Sequence, residues 1–300
     1  MAKNVKKKKK APRKGAVDSV VDSGKATIDF LQKKATSLFV DLLKIEAGST
    51  ILLIAVLVIG VFAMWGLGLI PESFDFSDKE NFANEMIKFL PMIAGLVVAL
   101  LIGGILSTIF ESVGYNAVDL RMKNSKVKIL ERFSRNFLPV LSLVVLLGVI
   151  KVLIFFPPIL SLLSRNVTLM FLSFVLLMLS AIVLVVFLFF IQFVMLELVI
   201  NGRGPWESIK QSYSLVKNNF WGVLVFDIAY WVLAMALGSV MGVISYVFQL
   251  FVYGGLMVSP ILGIVLAFIL MFLVGLVYNA IVKTIMLPFQ YKFWKGIQVL

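Results

Sequence analysis

The run IAYWVLAMALGSVMGVISYVFQLFVYGGLMVSPILGIVLAFILMFLVGLVYNAIV, residues 228–282, contains no charged side chain. A bilayer's hydrocarbon core is about 30 Å thick and a helix needs roughly 20 apolar residues to cross it, so this run is long enough to cross twice. Lipid offers no partner to backbone N–H and C=O groups, and a continuous apolar run meets that demand as α-helix. Gly254, Gly255 and Pro260 are turn residues inside the run. They predict one span beginning near Phe220, over 220–243, and another over 261–287. Tyr246, Phe248, Phe251 and Tyr253 near the division have the composition of an interfacial aromatic belt.

On the C-terminal side of the run, Phe289, Tyr291, Phe293 and Trp294 alternate with Lys292 and Lys295, which reads as the opposite interface. On the N-terminal side, Trp206, Ile209, Tyr213, Val216 and Phe220 recur at helical spacing and mark a short amphipathic helix. Pro205 suits its first position, after the break Asn201-Gly202-Arg203-Gly204. Residues 167–200 precede the break as another apolar block, with Gln192 and Glu197 its strongly polar members. As one helix that block would be about 50 Å long, so it must tilt, bend or project beyond the core. Further spans are predicted at 137–156, closing at Pro157-Pro158, at 87–110, and at 45–70, closing at Pro71.

The expected fold class is therefore all-α, a polytopic membrane bundle of six transmembrane helices over 45–295, with amphipathic interfacial helices on the cytoplasmic side. Residues 1–15 hold Lys3, the run Lys6 to Lys10, Arg13 and Lys14 with no acidic residue, and are expected to be a disordered tail. Residues 16–44 carry the stripe Val17, Val21, Gly24, Ile28, Leu31, Ala35, Leu38 and Leu42, which predicts an amphipathic surface helix.

Sixty-one per cent of the 300 residues are hydrophobic and 15 per cent charged, against roughly half and a quarter in soluble domains. Cysteine and histidine are absent. Disulfides, thiol nucleophiles, Cys/His metal sites and histidine acid–base chemistry are thereby excluded, and no cofactor is expected. The net charge of +12 is distributed by topology. For a multi-pass protein of the cell membrane with both termini in the cytoplasm, 12 basic residues fall in the N-terminal 44, six after the second span, three after the fourth and three near the C-terminus. That places 24 of 28 on the cytoplasmic side, a strong positive-inside bias. The basic tail accordingly reads as an orientation signal touching anionic lipid rather than nucleic acid. The loop after the first span carries Glu72, Asp75, Asp78, Glu80 and Glu85, as a translocated loop can.

An amphipathic segment precedes each pair of spans, at 17–44, 127–135 and 206–220, which suggests three repeats of surface helix plus hairpin. The stretch from Leu196 through Glu197, Asn201-Gly202-Arg203-Gly204-Pro205 and Ser208 to Tyr213, continued by Asn219-Phe220-Trp221, also resembles a known element. It is similar to the link between spans four and five in the membrane domain associated with glycerophosphoryl diester phosphodiesterases, and in its often archaeal six-span relatives. The resemblance implies a fold over about residues 40–295. No catalytic residue follows from it, because these residues include no soluble phosphodiesterase domain and no histidine.

Candidate functional residues are the ionisable and amide groups at span depth, which are costly there and commonly pair or line a polar cavity. Asp227 and Lys283 flank the uncharged run at matching depths, and Glu111, Glu197, Gln192 and Asn279 lie near them. They are read either as an Asp227–Lys283 pair locking two helices or as a substrate or ion site opening to the cytoplasm. The leading functional expectation is a non-enzymatic membrane protein acting through lipid or protein contacts at its cytoplasmic face. The alternative is a transporter or channel using the polar cluster.

Overall fold

Long aliphatic runs with so few backbone-competing side chains form helix wherever the chain is described, and the computed structural model describes residues 15–66, 90–125, 129–163 and 167–298. Among these residues the structure is all-helical, with no strand: α1 (Ala16–Gly66), α2 (Leu90–Met122), α3 (Ile129–Leu163), α4 (Val167–Ile191), α5 (Val194–Asn201), α6 (Pro205–Asn218), α7 (Phe220–Val258) and α8 (Pro260–Gln298). Five helices are long and apolar enough to cross a membrane, over Ala16–Gly66, Glu131–Pro158, Leu172–Asn201, Phe220–Gly255 and Phe272–Gln298. The expected span at 87–110 begins before the described residues resume, and α2 carries helix from Leu90 onward. The basic tail and the acidic loop lie outside the described residues.

Helix α1 packs on α8 and α2, α7 packs on α8, and α3 packs on α4. The short helices α5 and α6 sit together against α2, α3 and α4. Most of the protein core gathers at this end of the bundle, here called the α5–α6 end. Leu38, Leu42, Val118, Val140, Leu143, Phe193, Leu196, Val216, Phe226, Phe293 and Trp294 are all buried there.

Several boundaries differ from the sequence reading for identifiable reasons. The expected surface helix at 16–44 is not a separate element, because α1 continues unbroken through the apolar stretch expected as the first span, as far as Gly66. Its buried face matches the expected stripe only in part: Leu38 and Leu42 are buried, but Val20, Ser23 and Thr27 are buried where Val17, Val21 and Ile28 are exposed. Helix α3 does not stop at Pro157-Pro158 but runs to Leu163. Pro158 has no N–H for the carbonyl of Ile154 one turn back, and the Ser180 hydroxyl of α4 donates to that carbonyl instead, at 2.8 Å. Similarly, Gly254-Gly255 does not divide the uncharged run. The chain turns at Ser259, in an extended conformation, immediately before Pro260 opens α8.

The overlong block at 167–200 bends. Its helix breaks at Gln192–Phe193, between α4 and α5. The break frees backbone groups in an apolar setting, and one side chain from α6 takes both ends. The Ser212 hydroxyl accepts from the Phe193 N–H at 3.2 Å and donates to the Phe190 carbonyl at 3.1 Å. This is the kind of repair that broken helices at membrane depth require.

Candidate functional site

The residues singled out in the sequence form two separate arrangements rather than one cluster. The first centres on Glu197, which is fully buried on α5. Asn201 lies one turn on, and its amide donates to Glu197 Oε2 at 2.8 Å. Gly202 then ends α5 in the left-handed region, φ +66°, where its N–H bonds the Leu198 carbonyl. That reversal returns the Arg203 guanidinium to the same Oε2, also at 2.8 Å. The other oxygen, Oε1, accepts from Trp294 Nε1 at 2.9 Å and Gln298 Nε2 at 2.7 Å, both on α8. Four donors surround one carboxylate, so the desolvation cost of burying it is met by charge-assisted bonds.

A second buried carboxylate was not among the sequence candidates. Asp119 on α2 is fully buried, and Arg132, Lys123 and the Tyr291 hydroxyl converge on it. Burial pushes its acidity down, but the hydrogen bonds from Tyr291 and Lys123 and the Arg132 charge outweigh this and hold its pKa below the ordinary aspartate value. Asp119 and Glu197 are therefore both tied to the last turns of α8.

Those turns correct another expectation. Phe289, Tyr291, Phe293 and Trp294 do not form an interfacial belt, since all four are buried. Phe293 stacks on Phe226 of α7 at 4.2 Å between ring centroids, 9° from parallel, and approaches Phe193 at 6.1 Å. The segment is a plug in the bundle, with its lysines at the edge.

The second arrangement is a chain of polar contacts at the depth of Asp227 and Lys283. These two residues do not pair. The Lys283 ammonium bonds the Glu46 carboxylate of α1. Asp227 accepts from Gln192 Nε2 at 3.3 Å. The Gln290 amide reaches the Gln192 carbonyl at 3.5 Å, and the Tyr115 hydroxyl donates to Gln290 at 2.8 Å and approaches Glu111 at 3.3 Å. The expected Asp227–Lys283 pair is therefore replaced by a Glu46–Lys283 pair between α1 and α8. Asn279 is exposed on α8 and stands outside both arrangements.

Two surface features adjoin α6. On one flank, Asn201, Arg203, Gln211, Asn218 and Gln298 line a polar cleft of about 780 Å³. On the other, Phe187, Phe190, Ile191, Ile209 and Tyr213 line an apolar groove of about 420 Å³ with Lys210 at its rim.

The family model described as Domain of unknown function (DUF7847) matches residues 50–295, and the chain belongs to that family. Among curated proteins and among solved structures, nothing matches the chain.

Proposed function

We propose that this member of the DUF7847 family is a six-span, non-enzymatic integral membrane protein that acts through lipid or protein contacts at its cytoplasmic face. In this reading α2 supplies the sixth span. The α5–α6 end faces the cytoplasm, in keeping with the distribution of basic residues along the chain. The likeness of 196–221 to the phosphodiesterase-associated membrane domain is carried as a proposal about fold alone.

The observation that carries the proposal is the saturation of Glu197 by four donors and of Asp119 by three. Such groups hold helices in one arrangement; they offer neither a free base nor a free acid. The α5–α6 end is thereby a rigid platform, with polar and aromatic side chains of α6 outside it.

A transporter is the second reading, and one feature favours it. Among the described residues Asp227 has only the Gln192 amide as its hydrogen-bond partner, and Lys283 is engaged by Glu46. Purification in mild detergent, with lipid and protein mass spectrometry, tests the first reading: a stoichiometric lipid or protein is expected, and reconstituted vesicles should show no solute uptake. Uptake that the chain confers and that Asp227→Asn abolishes would overturn it in favour of the second.

A further inference from the structure

Helix α6 has three distinct faces. Ser208, Ile209, Ser212, Leu215 and Val216 are buried against the bundle. Gln211, Ser214 and Asn218 line the polar cleft. Trp206, Lys210, Tyr213 and Lys217, spaced four, three and four residues apart, form a single exposed stripe. Within that stripe each lysine lies over an aromatic ring, Lys210 over Trp206 at 5.7 Å and Lys217 over Tyr213 at 6.0 Å. Tyr213 in turn leans on Phe190 of α4 at 5.0 Å, forming one wall of the apolar groove.

A helix with a wet flank and an aromatic–basic flank defines a membrane–water boundary along its own axis. The groove lies on the aromatic–basic side of that boundary. Its lining is hydrocarbon and aromatic side chains together with Lys210, whose ammonium lies over the neighbouring Trp206 ring. Among the described residues neither Lys210 nor Lys217 forms an ion pair with Glu207, the carboxylate of α6, or with any other carboxylate, so both cations are available to an anion arriving from the bilayer. An apolar slot with a cation at its mouth matches the two halves of one molecule type.

We infer that the α4–α6 groove binds an anionic phospholipid, with an acyl chain against Phe187, Phe190 and Ile209, the headgroup phosphate at Lys210, and Lys217 two turns along the same stripe adding to the positive field around it. The inference deepens the reading that the protein acts through lipid at this face. It names the lipid class and the residues.

The full chain, purified in detergent, is titrated with short-chain phosphatidylglycerol, with phosphatidylcholine of the same chains, and with glycerol phosphate, and bound stoichiometry is read by native mass spectrometry. Phosphatidylglycerol should bind in preference to phosphatidylcholine by roughly 10- to 30-fold, as two lysines near a surface provide. The double variant Lys210→Gln/Lys217→Gln should lose that preference, and Phe187→Trp, which narrows the slot, should weaken both lipids. Equal binding of the two lipids by the unmodified chain, full retention of the preference by the double variant, or competition by glycerol phosphate at equal affinity would each overturn the site. Vesicle uptake is read separately, so a chain that conducts solute yet shows this lipid preference overturns the platform reading and leaves the site standing.

Discussion

Helices α7 and α8 run antiparallel through both ends of the molecule, and the two ends are held differently. At the α5–α6 end their rings interlock: Phe226 stacks on Phe293 and packs on Phe289 at 5.0 Å, and neighbouring side chains saturate Glu197 and Asp119. Toward the far end the same two helices flank an apolar groove of about 360 Å³ lined by Val240, Ile244, Leu273 and Val277. A second groove there, of about 540 Å³, lies beside Gln249 and Tyr253. Within lipid, hydrocarbon packing alone gives little reason for two apolar helices to prefer each other over acyl chains. Directional bonds and stacked rings therefore decide where this pair is fixed, and the grooves lie where such contacts are not found among the described residues.

The comparison is broken most directly at Glu197. Glu197→Ala leaves Trp294, Gln298, Asn201 and Arg203 without their acceptor; Arg203 can turn to the polar cleft, but the Trp294 indole N–H is buried with nothing to replace the carboxylate. The expected cost is about 2–4 kcal/mol, read as a fall in the thermal unfolding midpoint in detergent. A cost below about 1 kcal/mol would mean that the α5–α6 end is not held by this carboxylate.

Ser212→Ala comes next, because it orphans the Phe193 N–H and the Phe190 carbonyl at the α4–α5 break. About 1–3 kcal/mol is expected, with Ser214→Ala on the exposed side of the same helix within about 0.5 kcal/mol. Equal effects from the two serines would remove the role assigned to the break.

Titration of Asp119 is a milder perturbation, since it neutralises the group without deleting it. Its folded pKa lies below the ordinary 3.8. Its contribution is therefore fully present above that value and is lost as pH falls from there through the lower, folded value. The stability advantage of the unmodified chain over Asp119→Asn should be constant from pH 7 to about 5 and shrink below about 4. An advantage that grew on acidification would reverse the sign and refute the assignment.

The contrast between the two ends also explains which parts of the molecule the sequence revealed. Apolar runs are read from composition alone, and the helices at 137–156, 220–243 and 261–287 fall inside α3, α7 and α8. The aromatic segment from Phe289 to Trp294 was misassigned because a belt and a plug have the same composition. Only partners far away in the chain, Asp119, Glu197 and Phe226, distinguish them. Lys283 illustrates the same limit: an ionisable group beside an apolar run signals a partner, but Glu46, 237 residues away, is one that no local pattern indicates. Ser212 was missed for a related reason. A serine on the buried face of an amphipathic helix looks like weak patterning until the break it repairs is known.

The smallest effect is expected at the far end, and it is measured best as a matched pair on one helix. Val223 is fully buried at the α5–α6 end, whereas Val240 lines the open groove and is 60% exposed. Val223→Ala should cost about 1–3 kcal/mol, because the surrounding rings and backbone cannot collapse into the space. Val240→Ala should stay within about 0.5 kcal/mol, since an acyl chain or detergent tail can occupy what the side chain vacates. Comparable losses at the two positions would show that the far groove closes in the folded protein. In that event apolar packing, rather than the stacked rings and buried carboxylates, would be holding α7 to α8 along its whole length.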